Sequence, residues 1–359
     1  MAADLLPDSV RTLYAELLDL ATQNRAERTA RNLPAGTFVA KEIRGGRYWY
    51  LQISAGGTKS QRYLGRESPE LLRWMETANA ARGELAADAA IRERLVAMLV
   101  EGGAQREDAA PARALELLAD LGIFLRGGVL IGTHAFQICG NLLGVRFEQR
   151  HLRTADLDIA HDLAVAFALQ DEPNLHAAHA ITESGLGFLP VPGLDPRVPS
   201  TSYKVRGREL RIDFLAPAAT AQATAPVEIP GLGLSAKPLL FLDYLIENPI
   251  PAVVLRQSGI LVLVPTPARF ALHKLWVARQ RPAAQHVRAA KDRKQAESLL
   301  DVLVDERPED LREAWEALGE RKSPKRVIAG EIDRLPEPLR DRLGVVGVAG
   351  PPGGQMPLN

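Results

Sequence analysis

The sequence predicts an α+β protein with a mixed-sheet core, an N-terminal module of helices with a small β-meander, and a helical C-terminal region. Apolar residues recur at helical spacing over 8–31. Three short segments of alternating or β-rich character follow within 37–64 and are separated by Gly-Gly pairs, which predicts a three-stranded meander. After Gly127, apolar strands alternate with helices, and from Lys237 onward the pattern becomes mostly helical.

These changes of pattern divide the chain into four parts. A Pro/Ala/Thr-rich stretch predicts a linker near the end of the second part. The last part holds glycines and prolines with almost nothing to bury, so we expect it to be disordered. The predicted parts are the N-terminal helical module with its small sheet at 1–122, the core at 123–235, the helical region at 236–346 and the tail at 347–359.

The composition excludes several classes of protein. Lys plus Arg equals Asp plus Glu at 44 each, so the overall charge points to neither nucleic acid nor a membrane, and any polyanion site has to be local. The single cysteine, Cys139, excludes an intramolecular disulfide framework and a cysteine-rich zinc site. No apolar segment approaches the ~20 residues of a spanning helix and no signal peptide is visible, so we expect a cytoplasmic protein with no membrane partner.

Three aspartates in predicted strands are the candidate catalytic and metal-binding residues. Asp156 and Asp158 are two residues apart, so in a strand they share one face while Leu157 turns into the core. Two adjacent carboxylates repel each other, and a divalent cation such as Mg²⁺ or Mn²⁺ relieves that repulsion. Asp213, in a later strand, offers a third ligand, and the set suits two-metal nucleotidyl transfer. The alternative is a solvated strand face without a ligand.

Gly132-Thr133 stands between a predicted strand, 129–131, and a predicted helix. A glycine at such a junction lets the backbone approach a phosphate closely, and the helix N-terminus offers free N–H groups and a partial positive charge. The hydroxyl of Thr133 adds a further hydrogen-bonding group. The pair is therefore a candidate triphosphate site, with an ordinary capped turn as the alternative.

The order Gly132-Thr133, Asp156-Leu157-Asp158 and Asp213 resembles the nucleotidyltransferase domain of the DNA polymerase beta superfamily. Members of that superfamily carry Gly-Ser, then Asp-x-Asp or Asp-x-Glu, then a third Asp. Within it, the chain is similar to a bacterial group of nucleotidyltransferase-fold proteins related to abortive-infection nucleotidyltransferase toxins. The resemblance covers about 125–301, and it departs from the pattern at Thr133, which replaces the usual Ser.

The resemblance implies a mixed-sheet nucleotidyltransferase fold that binds a nucleoside triphosphate (NTP) with Mg²⁺ or Mn²⁺, as two ions. Gly132 and Thr133 would hold the triphosphate, Asp156 and Asp158 would bind both metals, and Asp213 would bind the catalytic metal and help deprotonate the acceptor hydroxyl. The expected acceptor is RNA, the 3′ end of tRNA in particular. A toxin or phage-defence role, with an antitoxin or regulatory protein as partner, follows from the likeness alone.

Two alternatives to this function remain. The same site would serve for transfer of a nucleoside monophosphate to a protein hydroxyl, as in AMPylation. A catalytically silent nucleotidyltransferase fold would instead act as a nucleic-acid-binding or regulatory module. Loss of any of the three carboxylates would favour the silent module, and all three are present.

Two further segments supply candidate nucleotide-binding residues. In the related group, a helix after the sheet carries a lysine that reaches the phosphates, and Lys274 would match it. Arg153 and Thr154, directly before the Asp-x-Asp, are candidates to orient phosphate or acceptor. The alternative for Lys274 is a solvated helix lysine. Residues 291–294, a run of charges, are interpreted as a charged helix surface.

The N-terminal sheet mixes basic and aromatic residues. Such a mixture suits contacts to a nucleic-acid backbone together with base stacking. The alternative is a small sheet with a packed, tyrosine-rich face and solvated charges. The candidate nucleic-acid contacts are Lys41, Arg44, Arg47, Tyr50 and Arg62.

Overall fold

A computed structural model shows an α+β protein built on a mixed sheet, which confirms the predicted fold class. The structure describes residues 4–30, 37–43, 45–55, 58–147, 155–169, 175–193, 198–220, 222–319 and 321–348. Four predicted features lie outside these residues and stay predictions: Arg44, Arg153, Thr154 and the tail from 349 onward. The side chain of Arg62 is also outside the described part.

The N-terminal part contains two long helices and the predicted antiparallel meander. The second helix begins directly after a capping residue, because the hydroxyl of Ser68 accepts a hydrogen bond from the Leu71 N–H and a proline follows the cap. The elements of the N-terminal part are β1 (Asp4–Leu5), α1 (Asp8–Ala30), β2 (Thr37–Ile43), β3 (Gly46–Ala55), β4 (Thr58–Arg66) and α2 (Pro69–Glu101).

The middle of the chain supplies the strands of the core sheet and the helices between them. In order, the elements are α3 (Ala109–Asp120), β5 (Gly128–Ile131), α4 (Gly132–Leu143), β6 (Val145–Arg146), β7 (Asp156–His161), α5 (Leu163–Ala168), α6 (Ala177–Thr182), β8 (Phe188–Pro190), β9 (Ser202–Val205), β10 (Arg211–Ala218), β11 (Val227–Ile229), β12 (Leu234–Leu240), α7 (Leu242–Ile246), β13 (Ile250–Val254) and β14 (Ile260–Val264). The remaining helices are α8 (Pro267–Gln280), α9 (His286–Glu306), α10 (Pro308–Glu316), α11 (Lys322–Ile332) and α12 (Glu337–Val345).

Strand β10 lies at the centre of the core sheet. Along one edge it pairs in parallel with β7, and β5 pairs antiparallel with the far side of β7. The other edge is divided, since 211–213 pair antiparallel with β9 and 215–218 pair in parallel with β12. Strand β8 extends the sheet from β9, and β11 extends it from β12. Parallel and antiparallel pairs therefore occur in one sheet, as predicted.

The start of the C-terminal region differs from the prediction. The sequence predicts a mostly helical region from Lys237 onward, and its first residues contradict this because they complete Leu234–Leu240, which is strand β12 of the core sheet. Its residues alternate, with Leu234, Ala236 and Pro238 buried and the residues between them more exposed. Seven residues that contain a lysine and a proline give only a weak strand signal in the sequence.

Two hydrophobic clusters hold the fold together. The larger cluster joins α3, the core sheet and the C-terminal helices, with Leu115, Phe214 and Phe270 among its fully buried members. The smaller cluster joins α1 and α2 to β13 through Leu17 and other residues. Among the described residues, no helix carries an apolar stretch long enough to cross a bilayer.

One buried hydroxyl links α1 to β13. The hydroxyl of Tyr14 donates to the carbonyl oxygen of Val253 at 3.1 Å and accepts from the Val253 N–H at 3.0 Å. A single side chain therefore satisfies both backbone groups of a buried strand residue. Backbone groups left unpaired in such a position cost free energy.

Tyr14→Phe removes this hydroxyl and keeps the ring. We expect the free energy of unfolding to fall by about 1–3 kcal/mol, because both backbone groups of Val253 lose their partner. Urea titration followed by circular dichroism measures the change. Tyr63→Phe, at a tyrosine with 55% of its surface exposed, is the matched control and should change it by less than about 0.5 kcal/mol. Equal losses in both variants would contradict the role given to the Tyr14 hydroxyl.

Candidate functional site

Strand register brings two of the candidate aspartates side by side. Asp158 of β7 lies between Asp213 of β10 and Ile131 at the end of β5. Ser202 of β9 continues this row on the far side of Asp213. Side chains of residues paired in register project from the same face of a sheet, so the two carboxylates face the same side.

A second row of polar residues lies two positions earlier along the strands. Asp156 lies beside Arg211, and Arg211 lies beside Lys204. Their chain neighbours Leu157 and Ile212 are fully buried. Because side chains alternate along a strand, the three aspartates share the face opposite this core. The alternation predicted for the Asp-x-Asp segment is the one that the strand shows.

The carboxyl group of Asp158 is half-buried and surrounded by negative charge. Burial, followed by the negative charges of Asp213 and Asp156, raises the pKa of Asp158 to about 6, against the opposing positive charges of Lys274 and His134. Burial and the two neighbouring carboxylates together therefore disfavour the ionised form of Asp158. A bound cation would lower this pKa and remove the repulsion.

Asp213 already has two partners on the sheet. Its Oδ1 accepts a hydrogen bond from Arg211 Nε at 2.7 Å and another from the hydroxyl of Ser202. Arg211 Nη2 also donates to Ser202 Oγ at 2.9 Å. These contacts fix the orientation of the Asp213 carboxylate on the sheet face.

The three carboxylates fit a hard divalent cation by their chemistry, since oxygen ligands suit Mg²⁺ and Mn²⁺. They also fit by charge, because they repel one another around Asp158. Their side chains do not converge on a common point: within the described ranges, no three acidic, histidine or cysteine side chains are placed closely enough to hold a metal ion. Asp213 is paired with Arg211 instead, at 2.7 Å from Arg211 Nε.

Gly132 begins α4 directly after β5 and lies against Asp158. Its φ is +73°, and a Cβ atom at this position would collide with the Asp158 carboxylate. Only glycine fits a backbone that approaches so closely in this conformation. The next residue, Thr133, is buried, and its hydroxyl accepts a hydrogen bond from Lys291 Nζ of α9 at 3.1 Å.

A pocket of about 430 Å³ opens beside this junction. Gly132 and Asp158 form part of its wall, and Lys274 and Arg281 form another part. Most of the remaining lining is apolar and comes from β12, α7 and α8. An apolar cavity of this size with a few charged groups is typical of a site for a small organic ligand.

A buried carboxylate of α9 holds the two cations of the pocket. Asp292, with 3% of its surface exposed, accepts hydrogen bonds from Lys274 Nζ at 2.7 Å and from Arg281 Nε at 2.5 Å. Burial by itself raises the pKa of Asp292, but the charges and hydrogen bonds of both cations outweigh it and hold the pKa below its ordinary value. The pKa of Lys291 is lowered by burial and by the positive charges of Lys274 and Arg281. Positive charge is thus in excess here.

The part of the chain that contains this site matches a known protein family. A family model described as nucleotidyltransferase matches residues 110–319, more than half of the chain. The matched segment contains all the strands of the core sheet in the described ranges and all three aspartates.

The chain belongs to this nucleotidyltransferase family. Membership confirms the resemblance to the nucleotidyltransferase superfamily and makes the protein a transferase of the EC 2.7.7 type with an NTP substrate. No curated protein and no solved structure matches the chain.

In this nucleotidyltransferase, the described candidate residues lie in two groups. Gly132, Asp158 and Lys274 line one pocket, and Thr133 lies next to it. Asp156 and Asp213 adjoin Asp158 on the sheet. The N-terminal candidates lie on the separate meander, where Lys41 and Tyr50 share one face and Arg47 is on the other.

The role of α9 differs from the prediction. The interpretation of 291–294 as a charged helix surface is wrong for Asp292, which is buried and holds two cations. Asp292 lies on the buried stripe of α9 together with Ala296 and Leu299, at i+4 and i+7. A carboxylate on the apolar stripe of an amphipathic helix is the signal that identifies it.

The ionisation of Asp158 predicts a pH-dependent gain of stability in a variant. Folding raises the pKa of Asp158 from 3.8 to about 6. The ionised carboxylate therefore destabilises the fold above pH 6, and this cost disappears as the pH falls below 3.8. In EDTA, we expect Asp158→Asn to raise the free energy of unfolding by about 1–3 kcal/mol at pH 8, and by far less at pH 4.

Urea titrations at both pH values measure this difference. Asp156→Asn, at an exposed carboxylate of the same strand, is the matched control and should change the free energy of unfolding by less than about 0.5 kcal/mol at either pH. A gain for Asp158→Asn that is equally large at pH 4 and pH 8 would show that packing, and not ionisation, is responsible.

Proposed function

We propose that this nucleotidyltransferase moves a nucleoside monophosphate from an NTP to a hydroxyl of RNA, at the 3′ end of tRNA, in a reaction that requires Mg²⁺ or Mn²⁺ and releases pyrophosphate and the hydroxyl proton. The observation that carries the proposal is the pocket that Gly132, Asp158 and Lys274 line together. An NTP with its cation needs carboxylates for the cation and positive groups for the phosphates. This pocket adjoins both an acidic and a basic cluster.

Asp156, Asp158 and Asp213 are the residues that we assign to two divalent cations. Bound cations would activate the attacking hydroxyl and neutralise charge on the triphosphate. Burial raises the pKa of Asp158 most, and the negative charges of Asp213 and Asp156 raise it further; that repulsion supports the assignment, because a cation would relieve it. Asp213 is further assigned to help deprotonate the acceptor hydroxyl, and Arg211 and Ser202 already orient its carboxylate.

The triphosphate is assigned to the junction of β5 and α4. Gly132 leaves the approach open, and the first turn of α4 offers unpaired N–H groups to phosphate oxygens. Lys274, Arg281 and Lys291 supply positive charge on the other side. Asp292 fixes two of these cations before the substrate arrives, which lowers the entropy cost of ordering them on binding.

The apolar part of the pocket is assigned to the nucleoside. Phe270 and Trp276 of α8 belong to its lining, and aliphatic side chains of β12 and α7 complete it. Aromatic and aliphatic surfaces of this kind bury a base and exclude water from it.

Three further predictions do not depend on the pocket. They are the domain limits near 122 and 235, a cytoplasmic location and a toxin role, and they rest on the sequence and on the resemblance.

Transfer of α-³²P label from each of the four NTPs into total cellular RNA and protein tests the reaction. With Mg²⁺ or Mn²⁺ present, we expect wild type to label RNA. Asp156→Ala/Asp158→Ala should lower the rate by about 10²–10³-fold or more, because the assigned metal ligands are gone. Asp310→Ala, at an exposed carboxylate of α10, is the control and should keep the wild-type rate.

Other outcomes of this assay identify the alternatives. Label in protein and not in RNA would replace the RNA acceptor by protein nucleotidylation at the same site. No label from any NTP, with purified tRNA also supplied, would contradict the transfer reaction and favour a silent binding module. Equal rates in wild type and the double variant would show that the assigned carboxylates are not the catalytic ones.

The buried carboxylate of α9 gives a second test of the same site. Asp292→Asn removes the charge that positions Lys274 and Arg281, so we expect the KM for NTP to rise about tenfold while kcat changes by less than about threefold. Glu331→Gln is the matched control, because Glu331 is also buried and is held by two arginines, Arg293 at 2.7 Å and Arg334.

Both substitutions remove a buried, doubly paired carboxylate, and both should lower the free energy of unfolding. Only the Asp292 variant should change the KM, because the pocket is lined by the partners of Asp292 and not by those of Glu331. Equal changes of KM in the two variants would reduce Asp292 to a purely structural role.

A further inference from the structure

The two faces of the N-terminal meander differ in what they contact. On one face Phe38 packs against Trp74 of α2, with ring centroids 5.3 Å apart, and Leu51 is buried beside it. This is the packed face of the sheet. The meander lies outside the segment that the nucleotidyltransferase family matches, so family membership does not account for it.

Arg47 and Trp49 also belong to the packed face. The guanidinium of Arg47 lies 5.2 Å from the centre of the Trp49 ring. Glu67 accepts a hydrogen bond from Trp49 Nε1 at 3.0 Å and forms an ion pair with Arg47 at 3.5 Å. Arg47 therefore has Glu67 as its partner and lies on the packed face, apart from the tyrosines of the opposite face.

The open face carries three adjacent tyrosines. Tyr50 of β3 lies directly opposite Tyr63 of β4, and their ring centroids are 5.4 Å apart. Tyr48 lies next to them, with its ring centroid 6.4 Å from that of Tyr63. Tyr63 is the most exposed of the three. Aromatic rings presented side by side on an exposed sheet face form a surface on which bases can stack.

Two cations flank these rings. Lys41 Nζ lies 4.7 Å from the centre of the Tyr50 ring, and Arg66 pairs with Tyr48 across the strands. Among the described side chains of this face there is no carboxylate. They are Thr37, Val39, Lys41, Ile43, Tyr48, Tyr50, Gln52, Gln61, Tyr63 and Arg66. The open face is thus positive and aromatic, the complement of a polyanion with exposed bases.

We propose that this open tyrosine face binds single-stranded RNA, with bases stacked on Tyr50 and Tyr63 and phosphates contacted by Lys41 and Arg66. A duplex hides the faces of its bases, so the rings select single strands. The choice of RNA over DNA rests on the proposed function, because the face would then hold the acceptor of the transfer. The proposal replaces Arg47 of the sequence-based set by Tyr63 and Arg66.

Fluorescence anisotropy with a 5′-labelled 12-nucleotide single-stranded RNA tests the face. The full chain carries Asp156→Ala/Asp158→Ala and no NTP is added, so binding is measured apart from transfer. We expect Tyr50→Leu/Tyr63→Leu to raise the Kd about tenfold or more, and Tyr50→Phe/Tyr63→Phe to stay within about threefold, because the rings remain. Circular dichroism verifies that each variant is folded.

The charges are tested separately. Lys41→Gln/Arg66→Gln should weaken binding and lower the slope of log Kd against log salt by about 1.4, because each of the two cations neutralises one phosphate and each phosphate of a single strand contributes about 0.7. Arg47→Gln, on the packed face, is the matched control and should leave that slope unchanged. This pair keeps the proposal testable if the leucine variants fail to fold.

Several results would overturn the proposal. They are a Kd unaffected by the leucine and glutamine variants, an equal effect of Arg47→Gln, or equally tight binding of a duplex of the same sequence. A DNA strand bound as tightly as the RNA would overturn the assignment to RNA. If RNA binding depends on the tyrosines but no transfer to RNA occurs, only the proposed function is refuted. If transfer to RNA occurs but RNA binding does not depend on the tyrosines, only the proposal that this face binds RNA is refuted.

Discussion

The register between β7 and β10 is the constraint on which the candidate site depends. It places Asp213 beside Asp158 while Phe214 and Leu157 fill the core on the opposite side. A shift by one residue would bury the aspartates and expose the apolar residues, because side chains alternate along a strand. The hydrophobic core therefore enforces a crowding of carboxylates that electrostatics alone would oppose, and this crowding makes the face suitable for a cation.

The basic side of the pocket depends on an opposite arrangement. Asp292 is buried among apolar residues of α9, a position that costs free energy for a lone carboxylate. Lys274 and Arg281 offset that cost, and in return the carboxylate fixes their positions at the pocket wall. An acidic cluster and a basic cluster are thus held next to each other by two separate structures, a strand pair and a helix pair.

How far the sequence predicts this site depends on the range of the contacts. The shared face of Asp156 and Asp158 follows from a period of two, and the junction at Gly132 follows from a strand followed by a helix, so both were predictable locally. Lys291 meets Thr133 only through tertiary packing, and in the sequence its neighbourhood is an ordinary run of charges. Strand β12 was missed for a related reason, since its pairing with β10 stabilises it more than its own short pattern indicates.

In the N-terminal meander too, the sequence pattern alone does not predict which side chains share a face. In a regular strand Tyr63 and Gly65 would share one face, and Arg66 would lie on the other. An irregularity between Trp49 and Tyr50 on the facing strand leaves Leu64 unpaired, and this brings Arg66 to the tyrosine face. Gly65, with a φ of +155°, permits the local backbone. One extra residue in β4 thus decides whether Arg66 joins Lys41 on the open face, and no count of basic and aromatic residues in the sequence contains that information.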